Sequence, residues 1–310
     1  MTLSESILAT LAYHDIFDYP LKVDEVHKYL IAAKSSLSSV QEVLRELKVL
    51  GIIGERHGYF FLKNRPNLVA ARLQRAKYSH AKLKRAKLYS KLLTLIPTVQ
   101  LIAISGALAM ENSHKKDDID LVLISKKNTL WTTRFLANIL LFPFKRKPQT
   151  DSTTDNKACL NLFLDEGDLT INPQNLYFAH EIAQMKPLWD KETTYSRFIK
   201  ANIWIHKYLP NWQPESSQLS VHSSRKVKPS TVNRFSPENE TQPSAVENFL
   251  RNFQLWYMRK KVSTEKIGEH QLFFHPSDTP EWVLKQYRKS IKRLKIASNN
   301  NFSLTSKIPL

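Results

Sequence analysis

The sequence predicts an α+β fold, and three observations carry that prediction. Residues 3–50 show helical apolar periodicity and run into a short glycine-punctuated β-type segment. Residues 101–105 and 119–124 are apolar β-type runs, separated by a glycine turn and a helix-like stretch. Beyond residue 173 the helical patterns return. An apolar content of 42% with 15 Phe, 11 Tyr and 6 Trp is enough to fill cores, which excludes global disorder for a chain of 310 residues. The single cysteine, Cys159, falls in a predicted buried strand, where it reads as a structural thiol in a reducing cytoplasm. The first residues carry neither a basic region nor the apolar centre of a signal segment. No apolar run reaches the roughly 18 residues needed to span a bilayer, so stable membrane insertion is not expected.

Taken in order, residues 3–14 and 22–33 read as helices broken by the segment Asp15 to Pro20. Ser35, Ser36, Ser38 and Ser39 supply caps for a third helix that runs to about residue 50. Gly51 and Gly54 then lead into a small hairpin ending in residues 59–62. Three helices followed by a hairpin make an N-terminal winged helix over residues 1–65. Its third helix carries the mixed set Gln41, Glu42, Arg45, Glu46 and Lys48, and its wing offers only Arg56 and His57. That pattern suits packing or partner binding better than base reading. Residues 66–96 form a basic connecting helix ending before Pro97, studded with Arg72, Arg75, Lys77, Lys82, Lys84, Arg85, Lys87 and Lys91. It reads as a solvated linker or as an electrostatic rail for a phosphate backbone.

The chemistry concentrates in residues 101–124. Asp118 and Asp120 open the second apolar run two residues apart, so alternation places both on one face of a strand. Two such carboxylates repel unless a cation or a proton neutralises them, and magnesium suits a carboxylate pair. Gly106 ends the first run, where the backbone can approach a phosphate closely. At these residues the chain resembles the nucleotidyltransferases related to DNA polymerase beta. Their pattern is a hydrophobic residue, Gly, Gly or Ser, about ten residues, then Asp, hydrophobic, Asp or Glu, hydrophobic. Ser105, Gly106 and Ala107, then ten residues, then Asp118, Ile119, Asp120 and Leu121 match it. The resemblance covers roughly residues 101–172 and implies a nucleotidyltransferase-like mixed sheet with flanking helices over residues 97–172. It also implies Mg2+-dependent transfer of a nucleoside monophosphate from an NTP to an unidentified acceptor. Asp118 and Asp120 would hold metal and act in catalysis, and Ser105, Gly106 and Ala107 would cradle the triphosphate. Lys115 and Lys116 are weaker candidates for phosphate contact.

Two departures stand out. Ala107 replaces the small polar residue usual after the glycine, and the third carboxylate has no clear counterpart. The matching strand spans residues 158–164, and period-two alternation puts Cys159, Asn161, Phe163 and Asp165 on one face, with Leu160, Leu162 and Leu164 on the other. Asn161 therefore takes the place of an acid as a metal ligand, and Asp165 lies at the far end. An amide can ligate a metal but cannot serve as a base. The alternative reading is a catalytically degenerate fold acting as a nucleic-acid-binding or regulatory protein. A net charge of +18 favours polyanionic partners in either case.

The remaining elements are helical. Residues 130–144 read as a core helix between the two central strands, with an interfacial membrane helix as the alternative. Residues 173–310 form a helical C-terminal region, with helices at 175–185, 195–208, 246–261 and 282–296 and a flexible insertion at 214–243. His180 and Glu181 begin like a zinc-protease motif, but Gln184 stands where the second ligand belongs. The turn at 274–278 reads as a capped loop, and no phosphate-binding glycine loop of another type occurs.

Overall fold

The computed structural model describes residues 1–146, 155–215, 242–259, 266–274 and 278–295. Most of the flexible insertion expected at 214–243, and the interior of the 274–278 turn, lie outside them. The architecture is mixed α and β. Three helices, α1 (Leu3–Asp15), α2 (Val23–Lys28) and α3 (Leu37–Val49), precede an antiparallel pair, β1 (Ile53–Arg56) and β2 (Tyr59–Leu62). Thr2 and Glu5 cap α1 reciprocally, and Ser36 caps α3 by accepting from Ser39 N at 3.1 Å. The second helix is shorter than the periodicity suggests. It stops at Lys28 because the following residues turn inward: Leu30 and Ile31 are buried, and Ala32 N donates to Tyr208 O at 2.9 Å.

The long helix α4 (Asn67–Leu93) leads to the main sheet. The sheet contains β3 (Val99–Ile104), β4 (Ile119–Ser125), β5 (Ala158–Asp165), β6 (Lys186–Asp190), β7 (Lys266–Ile267) and β8 (Gln271–Phe273), in the spatial order β6-β3-β4-β5-β8-β7. Among the described strands only β4 and β5 run parallel, joined by a crossover through α6 (Leu130–Leu140). Helix α6 ends three residues before Pro143, which lacks the N–H needed to continue it. The short strands β6 and β8 escape a periodicity reading. Pro187 sits on β6, an edge strand, where a missing donor is tolerated.

Alternation along β4 divides the sheet into two faces. Ile119, Leu121 and Leu123 join Ile102, Ile104 and Phe163 in a core closed by Ala86, Tyr89 and Leu93 of α4 and by Trp131 and Ala137 of α6. Val122 and Ile124 face the other way, with Leu101, Ala103 and Leu164. This second core is covered by α7 (Leu176–Gln184) and α8 (Thr194–Ala201), and it runs without interruption into the apolar faces of α1–α3. The seam is aromatic. Tyr13 of α1 stacks on His180 of α7 at 3.8 Å, and His14 meets His180 edge-on at 5.3 Å. Both imidazoles donate Nδ1–H to a carbonyl one turn earlier, and burial lowers His14 to about 4, so it stays neutral. The helix expected over 195–208 breaks at Asn202, whose side chain bonds Ile171 N, Leu169 O and Trp204 Nε1, and a 3-10 turn follows at Ile203–Lys207. Two further helices, α9 (Ala245–Met258) and α10 (Asp278–Arg293), pack on α6 and on α1 and α7 respectively. No helix among the described residues is long and apolar enough to cross a membrane.

Several cations of α4 are neither solvated nor available as a rail. Arg72 forms a bidentate pair with Glu25 at 2.6 and 2.9 Å, also donates to Pro20 O, and lies over the Tyr19 ring at 3.9 Å. Arg75 donates to Phe17 O and Asn112 Oδ1. Lys82 is buried beneath the loop that delivers Asp118.

Candidate functional site

The acid pair is held between two strands and a pinned loop. Strand β3 ends at Ile104, and Ser105 N donates to Asp120 O at 3.2 Å, which locks the glycine turn to the acid strand. Gly106 has φ +60°, a left-handed conformation that costs a side chain strain. A Cβ at this position would also lie 2.9 Å from Asp120 Oδ2. Glycine is thus required twice, for its backbone and for the carboxylate that occupies the space. The short helix α5 (Gly106–Ala109) follows, and Asn112 N returns to Ala107 O at 2.8 Å.

The loop before β4 has a buried cation at its centre. Lys82 Nζ donates to Asp117 O at 2.6 Å and to Lys115 O at 3.0 Å, and it reaches Asp155 and Asn156 at 3.3 Å. Lys115 and Lys116 themselves are exposed, so the lysine that shapes the loop comes from α4.

Asp118 and Asp120 share a face, as their spacing predicts, and register places Cys159 directly opposite Asp120. Ligand atoms of Asp118, Asp120 and Cys159 lie within 4.8 Å of one another. Asp118 pairs with Arg146 at 2.8 Å, and Asn161 Nδ2 donates to Asp120 Oδ1 at 3.3 Å. Burial, with the neighbouring charges of Asp118 and Glu181, pushes Asp120 up to about 7. Burial, with the two aspartates, also raises Cys159 and keeps it a thiol. Asn161 is itself buried, and its Oδ1 has no hydrogen-bond partner. Such an oxygen costs free energy unless something fills its lone pairs.

One expectation is corrected. The face shared by Cys159, Asn161, Phe163 and Asp165 does not survive a β-bulge in β5. The pairing steps from Leu121–Leu160 to Val122–Leu162, leaving Asn161 without a counterpart on β4. Past the bulge Phe163 joins the opposite core, with Leu160. Asn161 stays with the acid pair. Asp165 ends at the far edge of β5 opposite Ser125, where it accepts from Asn128 N at 3.1 Å and Gly167 N at 2.8 Å and pairs with His270 at 2.9 Å.

Three residues of the site have no mark in the motif. Arg146 approaches from the segment after α6, Cys159 needs the strand register to find Asp120, and Glu181 comes from α7. The His180–Glu181 pair, unsuitable for zinc, hinted at the last of these only as a polar step in an apolar helix. Burial raises Glu181 to about 7. Compared with known proteins, the chain matches no family model, no curated protein and no solved structure.

Proposed function

We propose that the chain is a metal-dependent nucleotidyltransferase that moves a nucleoside monophosphate from an NTP to an acceptor hydroxyl and releases pyrophosphate. The observation that carries this reading is the apposition of the left-handed Gly106 turn and the Asp120 carboxylate, with Asp118 beside it. The mixed sheet supports it, because β3, β4 and β5 lie side by side with helices before and between them. The two carboxylates of the cluster suit a hard divalent ion; its third ligand atom is the Cys159 sulfur, and Asn161, whose Nδ2 donates to Asp120, adds an amide oxygen with no hydrogen-bond partner. Asp118, Asp120 and Asn161 Oδ1 would hold Mg2+, which when bound offsets the charge of the triphosphate and of the leaving pyrophosphate. The chain itself supplies the remaining functions. Gly106 keeps the turn bare for a phosphate, Lys82 fixes the loop that aims Asp118, and Glu181 is a further carboxylate whose charge reaches Asp120. Residues 1–65 read best as a winged helix, supported by the three helices, the β1–β2 ladder and the Leu21–Phe60 bridge.

A second reading, a degenerate nucleotide-binding core with a regulatory or nucleic-acid-binding role, is favoured by Asn161 where a base would sit. Titration of the four NTPs with Mg2+ separates the readings, using wild type beside the Asp118→Ala/Asp120→Ala double variant. The transferase reading requires NTP binding that the double variant loses, followed by incorporation of α-labelled NTP into an acceptor. Binding without transfer across RNA, protein and small-molecule acceptors supports the degenerate core. No binding by wild type removes both.

A further inference from the structure

The cluster at Asp118 and Asp120 has a third member that a magnesium site does not call for. Cys159 stands opposite Asp120 across the β4–β5 ladder, and ligand atoms of Asp118, Asp120 and Cys159 fall within 4.8 Å of one another. Among the described residues no other set of three His, Cys, Asp or Glu side chains converges in this way. A structural thiol behaves as a small apolar group and packs among its like. This one lies beside two carboxylates, one of them bonded by the Arg146 guanidinium at 2.8 Å.

Asn161 is an independent sign of a ligand. It is 4% exposed, its Nδ2 donates to Asp120 Oδ1 at 3.3 Å, and its Oδ1 has no hydrogen-bond partner. The amide therefore abuts the acid pair with an acceptor left unsatisfied, a cost that a bound cation removes. Two carboxylates, a thiol and an amide oxygen meet at the start of two parallel strands.

Ligand chemistry selects the ion. Magnesium takes oxygen ligands, keeps several waters and draws the rest from carboxylates and substrate phosphates, so sulfur adds nothing to its binding. Its place is the nucleotide-loaded site. Thiolate selects ions of the zinc class, which accept carboxylate oxygen beside sulfur in a tetrahedral arrangement. Bonds of about 2.3 Å to sulfur and about 2.0–2.2 Å to oxygen set ligand atoms about 3.5 Å apart. The cluster reaches that spacing by side-chain rotation alone. Charge closes as well: a divalent ion and Arg146 together neutralise two carboxylates and a thiolate.

We propose that the protein by itself, before any nucleotide binds, holds a thiophilic divalent ion of the zinc class through Asp118, Asp120 and Cys159 Sγ, with Asn161 Oδ1 at the fourth position. Binding turns the thiol into a thiolate and releases its proton to solvent. The proposal rests on the nucleotidyltransferase reading for the acid pair as a metal site, and it names the resting ion and the sulfur ligand.

Co2+ is the probe, because a cobalt–thiolate bond gives an intense near-ultraviolet charge-transfer band and the chain has a single cysteine. The full chain, stripped with chelator, is titrated with Co2+ in the absence of nucleotide. The expected result is a band that saturates at one ion per chain, is abolished by equimolar Zn2+ and survives a large excess of Mg2+. Cys159→Ser and the Asp118→Ala/Asp120→Ala double variant should both lack the band, and Cys159→Ser should bind Zn2+ about tenfold or more weakly. The wild-type band has one possible source, so it decides the matter even where a variant fails to fold. Co2+ binding without the band, no binding of Co2+ or Zn2+, displacement by Mg2+ as readily as by Zn2+, or a band that persists in the double variant each overturns the proposal. The two readings also fail separately. Mg2+-dependent NTP binding without the band removes the sulfur ligand and leaves the transferase, whereas the band without NTP binding supports the sulfur ligand and removes the transferase.

Discussion

Strands β4 and β5 carry aspartates at both ends, a pair at one and Asp165 at the other, and the two ends are built differently. At the far end Asp165 accepts from Asn128 N on one oxygen and Gly167 N on the other, with the His270 ring 2.9 Å away. At the near end Asp120 has a long bond from Asn161, a thiol opposite, and two like charges acting on it. Burial raises both carboxyls, but at Asp165 the hydrogen bonds and the imidazole oppose the rise. A carboxylate saturated with donors holds a loop in place. One left short of donors has capacity for a ligand, and its position is maintained by the rest of the fold at a cost in stability.

The largest expected effect tests that contrast directly. Asp165→Ala leaves two backbone N–H groups without an acceptor and takes away the carboxylate beside His270, and should lower stability by about 2–4 kcal/mol in denaturant unfolding. Asp120→Ala removes a buried, poorly satisfied carboxylate and should leave stability unchanged or raised near pH 8. Equal destabilisation by the two variants would break the distinction. Lys82→Met sharpens it further. Removing a buried ammonium that bonds Asp117 O and Lys115 O strands those carbonyls, and a loss of about 2–3 kcal/mol is expected, with weakened NTP binding.

A pH series addresses Glu181. Its carboxyl is raised from 4.5 to about 7 by burial, so the folded state binds a proton that the unfolded chain has released over that window. The stability contributed by protonation is complete below about pH 4.5 and is lost as pH rises through 7. Glu181→Gln should therefore raise stability at pH 8 by about 1–3 kcal/mol and change it little at pH 4.5. A variant that stabilises equally at both pH values would show that the charge of Glu181 is not what the fold resists.

The sequence made part of this site legible, and the division is physical. Asp118, Asp120 and Gly106 are local: two residues apart at the start of a strand, and two residues past the end of another, fix their relation without knowledge of the partners. The same locality made α1, α3, α4 and α7 readable from periodicity and caps. Cys159, Asn161, Arg146 and Glu181 are related to the acids only through pairing register, a bulge and helix packing. The bulge at Asn161 is the instructive case, because strict alternation kept Asn161 on the correct face while placing Phe163 on the wrong one. Strands β6 and β8 were illegible because five and three residues, one of them proline, carry too little pattern. The inward turn of Arg72 and Lys82 was hidden because a basic helix looks the same in sequence whether its cations face solvent or buried oxygens.

The smallest effect expected is at Gly106, where two costs can be separated. Alanine there must hold φ at +60°, which costs about 1 kcal/mol for any side chain. Its Cβ would also meet Asp120 Oδ2 at 2.9 Å, and a carboxylate at the end of a short side chain can move to relieve that contact. Gly106→Ala should lose about 1–2 kcal/mol of stability. In the background of Asp120→Ala the loss should shrink to the backbone cost alone, because the oxygen that opposed the Cβ is gone. NTP binding gives the sharper reading, since the displaced carboxylate is the one that would hold the metal. Gly106→Ala should therefore weaken Mg2+-dependent NTP binding by more than its stability loss accounts for. A variant that binds NTP like wild type would show that the glycine serves the turn and not the site.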